Sequence, residues 1–315
     1  MNRRIFVKTV VVALGGNAIL QPKQKGTIEE QRANVEVSAQ NIVKLVQEGF
    51  RVVVAHGNGP QVGNILLQNA AAREHVPAMP LDVCGAESQG LIGYMIQQSI
   101  YNELKKLGID KKVVTLLTQV VVSKEDPAFQ NPSKPVGAFY TKEEAEKGMA
   151  KGESWIEDSG RGWRKVVPSP KPQEIVELDL IKTLVDAGAI VIASGGGGIP
   201  VVKEGDKLVG VEAVIDKDLA SSLMAKQLGA DILTIATDVP YVAINYGKPD
   251  QKNLERLTVD EAKKYLEEGQ FGKGSMGPKV QAAISFVENG GEAIIGALAD
   301  LREAVKGERG TRIVK

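Results

Sequence analysis

Lys8-Thr9-Val10-Val11-Val12-Ala13-Leu14-Gly15-Gly16-Asn17 is the stretch that decides the fold. Its apolar residues fall on both parities, so both faces of a strand built from it are buried. It then stops in a glycine turn. A strand covered on both sides and ending in glycine belongs to a mainly parallel α/β sheet. Arg3 and Arg4 ahead of it faintly resemble the start of a signal peptide. The apolar run is too short for one, and a strand entering a turn is the better reading.

Working outward, short β-branched runs alternate with helical periodicity. Thr27-Ile28-Glu29-Glu30 has the pattern of a capping box, and Val35, Ala39, Ile42 and Val46 follow helical spacing up to Gly49. Arg51–Ala55, Val113–Val122, Ala189–Ala193, Asp231–Ala236 and Ala293–Gly296 read as further strands. Helices are expected over Val62–Ala72, Ser88–Lys106, Leu178–Asp186, Asp218–Leu228, Val259–Glu268 and Lys279–Asn289. Such alternation implies right-handed crossovers. Residues 123–170 break the rhythm with Pro127, Pro132, Pro135, Pro168 and Pro170 and with both tryptophans, Trp155 and Trp163. That segment is too long for a simple loop and reads as a small inserted subdomain, a lid over the sheet, inside one domain of 315 residues.

Composition excludes several classes of function. Lys plus Arg and Asp plus Glu are both 39, so net charge is zero and bulk-charge binding to nucleic acid or a membrane surface is not expected. No stretch approaches the about 18 apolar residues of a membrane span. One cysteine, Cys84, permits no intrachain disulfide and fits a reducing, cytosolic compartment. The two histidines, His56 and His75, make a histidine metal site unexpected. His56, ending a buried strand, reads as a structural hydrogen-bonding residue.

Three strands end in glycine-rich turns: Gly15-Gly16-Asn17, Gly57-Asn58-Gly59 and Gly195-Gly196-Gly197-Gly198. In a parallel sheet these turns share one edge, where backbone N–H groups can cradle a phosphate. Each turn alone needs no more than a tight connection; three together point to an anion site. Gly57, Gly59 and Gly63 have the wrong spacing for a dinucleotide fingerprint, and no Walker A pattern is present. Asp216-Lys217-Asp218 and Gly277-Pro278-Lys279 each open a helix, Pro278 at its expected first position. A lysine there faces the positive end of the helix dipole. Two such lysines look like a clamp for an anion, with Asp218 orienting them; capping is the plainer role of Asp216 and Asp218. Lys134 is stiffened by Pro132 and Pro135.

Anion cradles and converging lysines, without a cysteine or histidine nucleophile, suit phosphoryl transfer between anions. An acceptor that is already an oxyanion needs no general base. At these residues the chain resembles the amino acid kinase superfamily and, within it, the carbamate kinase family. The motifs are ALGGNA (Ala13 to Ala18), HGNGPQVG (His56 to Gly63), DPAFQNPSKPVG (Asp126 to Gly137), EDSGRGWRKVVPSP (Glu157 to Pro170), ASGGGGIPV (Ala193 to Val201), EAVIDKDLA (Glu212 to Ala220) and GSMGPKV (Gly274 to Val280). Sister kinases usually carry a lysine in the first motif; the resemblance to carbamate kinases implies that Lys217 supplies that charge here.

The resemblance implies a three-layer αβα sandwich with an open, mainly parallel sheet, a cytoplasmic homodimer, and the reaction ATP + carbamate ⇌ ADP + carbamoyl phosphate with Mg²⁺. It assigns Gly15, Gly16, Asn17, Gly57, Asn58, Gly59, Gly195, Gly196 and Gly197 to the carbamoyl and phosphoryl groups. Lys217 and Lys279 would stabilise the migrating phosphoryl, organised by Asp218, with Lys134 reaching in from the lid. Asp216, Thr237, Asp238, Val239, Gly274, Ser275 and Met276 would line the nucleotide pocket. Pro240 departs from the family pattern beside that pocket. ATP synthesis during arginine or agmatine breakdown is the family expectation for direction. A kinase of a larger carboxylate, such as acetylglutamate, and a non-catalytic sensor of nucleotide or carbamoyl phosphate are the alternatives.

Overall fold

The computed structural model describes residues 7–158, 162–272 and 274–315. Its centre is an eight-stranded sheet in the order Arg256–Thr258, Thr311–Val314, Glu292–Ala297, Ile232–Thr237, Thr9–Leu14, Arg51–His56, Ile190–Ile192, Val113–Thr115. The six strands from Glu292–Ala297 to Val113–Thr115 are mutually parallel. Thr311–Val314 runs antiparallel to its inner neighbour, and Arg256–Thr258 pairs parallel with it.

Strand periodicity splits the apolar residues between two cores. Val11, Ala13, Val53, Ala55, Leu233 and Ile235 face one side, where Ile181, Ala220, Met224, Val280 and Phe286 close over them from three helices. Val10, Val12, Leu14, Val52, Val54 and Ile294 face the other, under Ala39, Ile42, Ile96, Ile100 and Leu301. Each fully buried Val, Leu or Ile contributes about 1.5–3 kcal/mol, so a one-residue register slip would be prohibitive only if it left faces unmatched. Here both faces are apolar, and the observed register sets Leu14 opposite His56 on one side and Ala236 on the other. The Gly57 N–H donates to the Leu14 carbonyl at 3.1 Å, which brings Gly15 and Gly57 level at the carboxyl edge.

The capping box forms as the sequence indicates: Thr27 and Glu30 close the start of helix Ile28–Gln47 reciprocally. Three expectations are corrected. Val113–Val122 is two strands in two sheets, Val113–Thr115 at the main edge and Gln119–Val121 in a four-stranded sheet with Ile199–Glu204, Lys207–Gly210 and Glu174–Ile175. The break is held by the buried Gln89 amide, which accepts from the Thr118 N–H at 2.9 Å and donates to the Thr118 and Gly195 carbonyls at 3.1 and 2.9 Å. The helix ending at Lys106 starts at Leu81, not Ser88, because Leu81 and Cys84 pack against Val62 and Ile65. Helix Met276–Val287 opens before Lys279, which places Pro278 third rather than first. Its missing N–H is still one the first turn would leave unpaired.

Lys134–Tyr140, Trp163–Val167 and Ser154–Glu157 form a separate antiparallel sheet in that order, beside helix Lys142–Met149. Tyr140 and Trp155 meet edge to face with centroids 5.2 Å apart. Val136 and Val167 anchor the base of this unit in an apolar cluster with Val62, Ile65, Leu81 and Cys84.

Candidate active site

The parallel strands end together, and a cleft of about 910 Å³ runs along that edge. Gly15, Gly16 and Asn17 form its floor with Gly57, Asn58 and Gly59, and a side-chain Cβ at Gly16 would meet nothing within 4 Å. Helix Gly59–Ala72 begins in this floor, so its free N–H groups and positive dipole end face the cleft.

Lys217 and Lys279 come from the first turns of two helices and meet on one carboxylate. The Lys217 Nζ donates to Asp218 Oδ1 at 2.6 Å, and the Lys279 Nζ to Asp218 Oδ2 at 2.9 Å. All three side chains are nearly enclosed, with exposures of 13%, 16% and 6% for Lys217, Lys279 and Asp218. Burial by itself would raise the Asp218 carboxyl, but the charges and hydrogen bonds of the two lysines reverse this and hold it down at about 2. Burial, and then repulsion from Lys279, lowers the Lys217 ammonium from its ordinary value despite Asp218.

A carboxyl depressed on folding contributes stability above its ordinary pKa and loses that contribution as pH falls through the folded value. Asp218→Asn is therefore expected to cost about 3 kcal/mol at pH 7, the price of leaving buried charges unpartnered. The gap to wild type should close between about pH 4 and about pH 2, because both proteins then present a neutral group. Urea unfolding across that range measures it; a constant gap would contradict the arrangement.

The four-glycine run is set mostly by packing. A Cβ at Gly195 would lie 2.5 Å from His56 Nε2, and one at Gly196, where φ is +67°, 2.2 Å from Asn58 Nδ2. Of Gly195, Gly196 and Gly197, Gly196 lines the cleft, and Gly195 and Gly197 are buried in the same turn beside it. Gly195→Ala is expected to cost about 1–3 kcal/mol, read as a lowered Tm, since neither His56 nor Gln89 has room to move. His56 is a buried neutral ring. Burial first, and then Lys217, lower it to about 4, and its Nδ1 lies 2.9 Å from the Gly57 carbonyl, to which it donates as the neutral ring. That suits support of the turn.

On the far side, Thr237, Asp238, Gly274 and Ser275 line the cleft, whereas Val239 and Met276 do not. The Thr237 hydroxyl donates to Asp238 at 3.0 Å. Lys134 also reaches the cleft, donating to Asp216 at 2.9 Å. Sequence reading missed Gln21, Pro22 and Val37, and the turn Ala297-Leu298-Ala299, all of which line the cleft. The turn could have been found: it follows the Glu292–Ala297 strand at the edge where α/β ligands bind.

Among the described residues, no group of three or more His, Cys, Asp or Glu could hold a metal ion, and no helix is long and apolar enough to cross a membrane. A glycine-lined anion cleft at the carboxyl edge of a parallel sheet, with lysines clamped on one aspartate, is the arrangement of a phosphoryl-transfer site. Residues 8–296 match the amino acid kinase family. The chain belongs to that family. It is 58% identical over 315 residues to the carbamate kinase of Thermococcus kodakarensis, covering 98% of this chain and 100% of that one. It is 55% identical over 312 residues to the carbamate kinase of Pyrococcus furiosus, covering 98% and 99%. The solved structure of Giardia lamblia carbamate kinase bound to AMP-PNP superposes with a TM-score of 0.94 at 51% identity, over 98% of this chain and 99% of that chain.

Proposed function

We propose that the protein is a carbamate kinase, catalysing ATP + carbamate ⇌ ADP + carbamoyl phosphate. The observation that carries this is the pair of buried ammonium groups on Asp218, beside a floor built from glycine backbone. In the direction of ATP synthesis, an ADP β-phosphate oxygen attacks the phosphorus of carbamoyl phosphate. The phosphorus–oxygen bond to the carbamoyl group breaks, and carbamate leaves as an oxyanion. Both attacking and leaving oxygens are already deprotonated, so no general base is needed, in keeping with the neutral, enclosed His56. Lys217 and Lys279 then neutralise the charge spread over the migrating phosphoryl. The Gly15–Gly16 and Gly57–Gly59 turns hold the small carbamoyl end with backbone N–H groups. Thr237, Asp238, Gly274 and Ser275 take the nucleotide side.

Magnesium fits this site as the nucleotide's own counter-ion, held by phosphate oxygens and water and lowering their charge. The Asp216 and Asp218 carboxylates are turned to ammonium groups and are not free to form a cage. In the same reading residues 123–170 form a lid that brings Lys134 to the substrate and excludes water. The chain acts as a cytoplasmic homodimer; Leu91, Tyr94 and Tyr101, exposed at helical spacing along helix Leu81–Lys106, offer an apolar contact stripe. ATP formation from ADP and carbamoyl phosphate, followed by a coupled assay, tests the function. Turnover is expected. Turnover only with a larger acyl phosphate would make the protein a sister kinase, and none with any acyl phosphate would make it a sensor.

A further inference from the structure

Asp216 stands at the junction between the inserted unit and the lysine clamp. Its Oδ1 accepts the Asp218 N–H at 2.9 Å and the Leu219 N–H at 3.4 Å, capping helix Lys217–Leu228. Its Oδ2 accepts the Lys134 ammonium at 2.9 Å, across a separation of 82 residues. Both carboxylate oxygens are thus occupied by donors of the chain itself, which leaves them poorly suited to a nucleotide. The two bonds work as a unit. The cap fixes the carboxylate against the turn that carries Lys217, and the fixed carboxylate fixes where Lys134 points.

Lys134 needs such a partner. Its backbone is held at the base of the inserted sheet, paired with Val167, and Val136 and Val167 are packed in the apolar cluster below. Its side chain is 37% exposed and long enough to turn away to solvent, whereas that of Asp216 is 17% exposed. A lysine held at the cleft wall before substrate arrives has already lost the rotamer freedom that binding would otherwise have to remove.

We propose that Asp216 is a positioning residue: it parks the Lys134 ammonium at the cleft wall and hands it to the incoming acyl phosphate. This rests on the carbamate kinase reading for the identity of that anion, carbamoyl phosphate, but not for the Asp216–Lys134 contact. Asp216→Asn separates the two tasks, because asparagine caps a helix as well as aspartate does but carries no charge for the lysine. Asp216→Ala removes both and reports the cost of the cap.

For Asp216→Asn, kcat/KM for carbamoyl phosphate should fall about tenfold, while KM for ADP stays within about twofold and Tm is unchanged. In a Lys134→Ala background the same substitution should change kcat/KM by less than about twofold, since there is no ammonium left to position. Equal losses in both backgrounds, or a raised KM for ADP, would overturn the proposal. A second readout needs no turnover. Acetic anhydride at limiting dose, with peptide mass analysis, should modify Lys134 at least about threefold faster in Asp216→Asn than in wild type, because the released amine is more accessible. An unchanged rate would also overturn it. If wild type fails to make ATP from carbamoyl phosphate, the functional reading fails alone, and the labelling rate still decides the role of Asp216.

Discussion

Lys217→Met is expected to lower kcat by about 10³ and to raise KM for ADP far less. The ammonium sits in a nearly closed site, where a charge acts through little water. Its attraction grows as charge spreads over the migrating phosphoryl, so its removal weighs on the transition state more than on the bound nucleotide. The same substitution should leave Tm unchanged or raise it. Burial and Lys279 together lower the Lys217 pKa despite Asp218, so the charged form is less favourable in the fold than in water. Methionine removes that cost, fills similar volume and leaves Asp218 paired with Lys279. Initial rates and a thermal scan on one preparation check both. Activity within a factor of a few of wild type would remove Lys217 from the chemistry. A large loss of Tm would mean that it is needed for the fold.

Cutting away the outer part of the inserted unit should be nearly as damaging to turnover while leaving the protein folded. Tyr140 and Trp163 face each other in the antiparallel pair, so an Asn-Gly turn between them can replace residues 141–162. Among the described residues of that stretch, none belongs to either core of the main sheet, and the Val136 and Val167 anchors remain. Tm is therefore expected to stay within about 5 °C of wild type. Turnover is expected to fall at least about 100-fold, with more carbamoyl phosphate lost to water per ATP formed, because the site stays wet. Circular dichroism, together with parallel assays of ATP and of total carbamoyl phosphate consumed, separates these effects. Normal kcat and normal coupling would show that the segment beyond Tyr140 has no part in the reaction.

Much of the architecture is legible because it depends on neighbours in the chain. The run Val10–Leu14 alternates between two cores whatever lies beyond it, and Thr27 with Glu30 closes a helix start within one turn. The stop of strands at Gly15, Gly57 and Gly195 is equally local, and it places the anion site at one edge of the sheet as soon as the strands are parallel. Helix Leu178–Asp186 is read to the residue because its apolar stripe and its ends coincide.

What only the tertiary structure decided rests on contacts between distant segments. The sequence suggests that Asp218 orients Lys217 and Lys279, but the contact itself, which Lys279 makes across 61 residues, exists only once the two helix starts are brought together. Gln89 ends one strand and begins another by binding Thr118 and Gly195 at once, so Val113–Val122 reads as continuous in sequence and is divided in space. Gly195 reads as part of a phosphate cradle, yet it is glycine because the ring of His56 lies against it. Asp216 reads as a cap or a nucleotide contact, and its second oxygen is taken by Lys134 from the inserted unit. Local propensity and patterning are properties of a few consecutive residues and survive in the bare sequence. Which charged groups share an enclosed space depends on how the layers close, and there burial and paired charge, not propensity, set the chemistry of the site.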